Sequence, residues 1–164
     1  MFYHVPYAKD NIAQWYKHAP VFDPKAKPQW EILAKEAHKQ VERLLKIYDI
    51  ELLRVTGQPY NDVYDMFDDI DAGKLMISVD NSEHPVFALE DNIAFRTWHD
   101  LAHHEVYADF SYTGEVKTYE KQLAHVEKFS EFPYKDIRHA LFVEVLGQAA
   151  SYMCTGTFAQ QKGF

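Results

Sequence analysis

The sequence predicts a mainly α fold, a compact bundle-like set of helices with at most a small two-stranded β ribbon. Three observations predict it. Apolar residues recur at steps of three and four over one long segment, three further helix-length segments follow, and only two short stretches alternate like strands. At 164 residues and 47% hydrophobic content the chain fits one globular domain, residues 1–164, with room for a real core.

The first 28 residues, with Pro6, Pro20, Pro24 and Pro28, read as an irregular arm packed on the helical body, with a short helix near Ala13 to His18. From Pro28 the residues Trp30, Leu33, Ala34, Ala37, Val41, Leu44, Leu45 and Tyr48 form one face of a helix. Ile50 to Val55 suits a strand closed by Gly57. A helix opening at Pro59 then turns Val63, Tyr64, Phe67 and Ile70 inward and ends at Gly73. Its aspartates, Asp62, Asp65, Asp68, Asp69 and Asp71, lack the glycine and glutamate positions of an EF-hand loop and read as a solvated face. Leu75 to Val79 suits a second strand, and His84-Pro85 marks a turn. Three more helices are expected over about Glu90 to Tyr107, Gly114 to Phe129 and Pro133 to Tyr152.

Charge and composition exclude several partners. With 25 acidic against 17 basic residues, a net charge of -8 repels a phosphate backbone, so nucleic acid is not expected. The basic stripe Lys35, Lys39, Arg43 and Lys46 is interleaved with Glu31 and Glu42 at helical spacing. No apolar run reaches the roughly 20 residues a membrane span needs, and Met1 to Pro6 lacks a secretory pattern, so no membrane partner and a cytoplasmic location are expected. One cysteine, Cys154, allows no internal disulfide and no thiolate cage. Any metal must use histidine and carboxylate.

The chemistry concentrates in Phe95-Arg96-Thr97-Trp98-His99-Asp100-Leu101-Ala102-His103-His104. At about 100° per residue, Arg96, His99, Asp100, His103 and His104 fall within roughly 140° of a helix. Phe95, Trp98, Leu101, Ala102 and Val106 anchor the other side. His99 with His103, or Asp100 with His104, has the i, i+4 spacing that brings two ligands to one ion.

Two other segments supply carboxylates. Glu144 lies in an otherwise apolar helix with Gln148 one turn on, so its carboxylate needs a cation, a proton or a partner; the structural alternative is an ion pair with Arg96 or Arg138. Glu115 opens the next helix after a short loop, with Tyr119 and Gln122 on the same face. A glutamate there is also favoured by the helix dipole alone. The metal-ligand candidates are therefore His99, Asp100, His103, His104, Glu115 and Glu144, and the catalytic candidates Asp100, Glu144 and Arg96.

The pattern His84-Pro85, Asn92, Phe95-Arg96-x-x-His99-Asp100-x-x-x-His104, Phe110, Gly114-Glu115 and Glu144-x-x-Gly147-Gln148, continuing through Tyr152, Thr155-Gly156, Phe158 and Gln161-Lys162, resembles a family of uncharacterised proteins of bacteriophages and other mobile elements. It covers about the second half of the chain. The resemblance implies a mobile-element origin, hence a host cytoplasm, and a shared site without a settled reaction. Where that family has glycine before its last histidine this chain has His103, so the resemblance implies His99, Asp100 and His104 as the ligand set.

Three functions follow as expectations. The first is a metal-dependent hydrolase, zinc before iron or manganese, acting on a small-molecule or peptide substrate, with Asp100 or Glu144 as base. His99-Asp100-x-x-His103 resembles a shortened zinc-protease H-E-x-x-H. The second is a di-iron or di-manganese carboxylate oxidase. The third is a non-enzymatic phage accessory protein that binds a host partner around a structural metal or ion network.

Overall fold

A computed structural model describes residues 7–164. The residues Met1 to Pro6 of the expected arm lie outside the described residues. The chain runs α1 (Lys9–His18), α2 (Lys27–Tyr48), β1 (Glu51–Val55), α3 (Val63–Asp71), β2 (Lys74–Ser78), α4 (Leu89–Val106), α5 (Tyr112–Phe129), α6 (Tyr134–Phe142), a π-helical segment (Val143–Gly147) and α7 (Gln148–Thr155). It is mainly α, with one two-stranded sheet. Among the described residues no helix is long and apolar enough to cross a membrane.

The core forms where α2 packs on α4 and α6. Trp30, Leu33 and Leu44 of α2 meet Trp98 and Leu101 of α4 and Ile137 and Leu141 of α6, all fully buried. Burying one such side chain stabilises by roughly 1.5–3 kcal/mol, which fixes the rotation of α4 about its axis. Its ionisable face is thereby aimed by packing.

The two strands pair in parallel, Glu51 opposite Lys74 and Val55 opposite Ser78, with α3 as the crossover that a parallel pair requires. α3 begins four residues after Pro59, because Asp62 caps it by accepting from the Tyr64 N–H at 2.9 Å. Its inner face is Val63, Met66, Phe67 and Ile70. Tyr64, expected inward, is 48% exposed, since it lies about 100° around the helix from Val63 and Met66 takes its place.

The segment expected to be largely irregular holds a ten-residue helix, α1, which buries Ile12, Ala13 and Tyr16 against α7 and the π-helical segment. The expected helix Pro133 to Tyr152 is present as one rod, α6 to α7, interrupted by the π-helical turn. A Cβ on Gly147 in that turn would lie 2.5 Å from the Tyr16 ring, so the glycine is what lets α1 close on the bulge.

The back of α4 is held by a polar chain. Trp98 Nε1 donates to His125 Nδ1 at 3.0 Å, and His125 Nε2 then donates to Glu105 at 2.9 Å. Burial would raise the Glu105 carboxyl, but the hydrogen bonds and charges of His125 and Lys121 prevail and hold it at about 2. A depressed carboxylate stabilises the fold above its unfolded pKa and ceases to do so as pH falls through the folded value. Unfolding by urea is therefore expected to become easier between about pH 4.5 and pH 2, and Glu105→Gln is expected to flatten that dependence.

Candidate metal centre

α4 ends at Tyr107, whose left-handed backbone (φ 50°) turns the chain back so that Ala108 lies beside His103. The His103 Nδ1–H donates to the Ala108 carbonyl at 3.1 Å. A carbonyl can only accept, so a proton sits on Nδ1, and Nε2 is the ring atom left to face the cleft. His99, one turn earlier, donates from Nδ1 to Gln122 Oε1 of α5 at 2.8 Å, and its Nε2 is turned to the Glu115 carboxylate at 2.9 Å. Each imidazole is oriented by an acceptor behind it, the arrangement that prepares histidines for a metal.

Glu115 arrives from the first turn of α5. Ser111 caps that turn, its Oγ accepting from the Gly114 N–H at 3.1 Å. A Cβ on Gly114 would lie 2.0 Å from the Asp109 carbonyl, so only glycine lets the connecting loop fold against the helix start. The next side chain, Glu115, then reaches His99 Nε2 at 2.9 Å and His103 Nε2 at 3.3 Å. Helix capping is thus done by Ser111, and Glu115 faces the imidazoles.

His99, His103 and Glu115 bring their ligand atoms within 4.8 Å of one another and can hold a metal ion. The two Nε2 atoms lie 3.1 Å apart. Two ring nitrogens and a carboxylate at that distance require a positive charge among them, either a proton or a cation. The same demand shows in the acid-base behaviour. Burial would lower the His99 imidazole, but Glu115 overcomes it with help from Asp100 and Gln122 and raises it to about 9. Glu115 is held well below the usual carboxylate range, the two imidazoles outweighing burial.

Asp100, next to His99, lines the same cleft and accepts no side-chain hydrogen bond among the described residues. Burial pushes its carboxyl up to about 6, with Glu115 adding to the rise and His99, His103 and Arg96 opposing it. The cleft has a volume of about 1300 Å3 and leaves space beside the three ligands.

The other candidates stand elsewhere. His104 is turned about 140° from His99 on the helix; its Nε2 meets Asp71 at 2.8 Å, and its ring packs edge-on against Tyr48 and Phe67. It is not grouped with the other ligand candidates. Glu144 lines the same cleft, and the basic group within 4 Å of it is His84 Nε2 at 3.5 Å, rather than Arg96, Arg138 or the α4 histidines. Arg96 lines the cleft as well, and its guanidinium holds the turn 78–82. Its Nη1 donates to the carbonyls of Ser78 and Asp80 and to Ser82 Oγ, and its Nη2 to the carbonyl of Asn81.

Of the groups that orient the ligands, Gln122 was visible on the Glu115 face of the sequence. The Ala108 carbonyl had no residue-type signal, being main chain placed by the turn at Tyr107. Compared with known proteins, the chain matches no protein-family model, no curated protein and no solved structure.

Proposed function

We propose that this chain is a metal-dependent hydrolase whose ion is held by His99, His103 and Glu115, with Asp100 as general base. The observation that carries the reading is the pair of imidazoles whose Nδ1 atoms both donate to acceptors behind them, so that both Nε2 atoms converge on one carboxylate. Two histidines and a glutamate form the donor set of hydrolytic zinc sites that keep a position open for water, which puts zinc ahead of iron and manganese. When bound, the ion supplies Lewis-acid polarisation of the substrate and a more acidic water.

The chain's own residues do the rest. Asp100 sits directly after the first ligand, where it can take a proton from the attacking water and later return it to the leaving group. Its side chain is one methylene shorter than the glutamate of H-E-x-x-H, so it reaches less far from the helix. Gln122 and the Ala108 carbonyl fix the rings and Ser111 with Gly114 fixes Glu115, so the ligands are positioned before any ion enters.

The test begins with elemental analysis of the purified chain, then screens phosphoesters, nucleotides and peptides with and without chelator. The expected result is about one divalent ion per chain and turnover that chelation abolishes and zinc restores. Hydrolysis that proceeds equally in excess chelator, or a chain that takes up no divalent ion, sinks the reading.

A further inference from the structure

A second cluster lines the metal cleft from the opposite part of the chain. Glu144 is buried, and its Oε2 has no hydrogen-bond partner. The other buried carboxylate among the described residues, Glu36, is satisfied by Gln40 Nε2 at 2.7 Å and Ser130 Oγ at 2.6 Å. An enclosed carboxylate oxygen without a donor is unfavourable, so Glu144 Oε2 calls for a ligand.

His84 does not fill that role. Its Nδ1 accepts from the Val86 and Phe87 N–H groups at 3.0 and 2.9 Å, which places its one ring proton on Nε2 and leaves no lone pair there. Nε2 is 3.5 Å from Glu144 and has no partner of its own. The ring cannot swing closer, being packed against Trp30 at 4.8 Å and stacked on Phe87 at 4.4 Å. For the same reason His84 Nε2 is not a metal ligand, and Glu144 lacks the nitrogen donor a second metal site would want.

Two more orphaned atoms face this cleft, the Gln148 Nε2 donor and the Gln161 Oε1 acceptor, the latter carried by a side chain anchored through its Nε2 to the Asn81 carbonyl at 2.8 Å. Five carboxylates line the cleft, Asp80, Glu83, Asp100, Glu115 and Glu144, against one fixed cation, Arg96. The hydrogen bonds Arg96 makes all go to the turn 78–82. Arg96 attracts Glu144 through space but donates no hydrogen bond to it, so the enclosed Oε2 favours a ligand that brings a positively charged donor of its own.

We infer that Glu144 binds a cationic nitrogen, a primary ammonium or a guanidinium, carried by the ligand of this cleft. That the ligand is also the hydrolysed substrate rests on the proposed function; the cation subsite does not.

The experiment titrates n-butylammonium and n-butylguanidinium into the full chain by calorimetry, with butanamide as neutral and butyrate as anionic control, and follows the His84 ring by NMR. At least one of the two cations is expected to bind about tenfold or more tightly than butanamide, and to shift the His84 signals. Glu144→Gln is expected to erase that preference while binding zinc as the unaltered chain does. Equal binding of butanamide and both cations overturns the inference without any variant, as does a preference that survives in a folded Glu144→Gln. Should that variant not fold, the selectivity of the unaltered chain and the His84 shifts decide. A second zinc ion lost with Glu144 also overturns it. His99→Ala, read for zinc and for cation separately, distinguishes failure of the metal reading from failure of this one.

Discussion

Glu115→Gln is expected to lower divalent-metal affinity about a hundredfold or more while leaving the helices intact. The substitution keeps the side-chain shape and removes the charge of the carboxylate grouped with His99 and His103. Loss of an outer partner of a metal ligand costs about ten- to a hundredfold, and loss of a charged ligand from a three-ligand site should cost more. His104→Ala is the matched control, because His104 engages Asp71 on α3 instead. Zinc titration with a competing chelator reads both. Equal losses in the two variants would move the ion away from the three residues named, and no loss in either would remove it altogether.

The second large effect is on rate. Asp100→Asn is expected to reduce metal-dependent turnover by about 10²- to 10⁴-fold with metal content unchanged, the range for removing a positioned general base. Asparagine preserves the size of the side chain and cannot accept the proton. If Asp100 were a ligand, metal content would fall in parallel with rate, so measuring both on one preparation separates the roles. Full turnover in the variant would assign the base elsewhere in the cleft.

The helical framework was legible because its signals are periodic and local. The apolar steps from Trp30 to Tyr48 and the Phe95, Trp98, Leu101 anchor appear in the core as read. Boundaries moved where a cap overrode a proline, as Asp62 did at the start of α3. The site was legible as a set of residue types on one helix, but not as a selection among them. His103 and His104 are neighbours with the same chemistry, and only the rotation of α4 fixed by its buried face turns one toward α5 and the other toward α3. The resemblance favoured His104, while the geometry groups His103 with Glu115. Glu144 was legible as buried; that the side chain nearest it is a loop histidine, His84, was not, because the ring is oriented by backbone N–H groups that no pattern of side chains encodes.

Because the acceptor behind His103 is the main-chain oxygen of Ala108, replacing the Ala108 side chain does not delete it. Vulnerability at that point therefore lies in chain length rather than in residue identity. An insertion or deletion of one residue between Tyr107 and Gly114 would shift both the oxygen that aligns the imidazole and the helix that delivers the carboxylate, disabling two of three ligands at once.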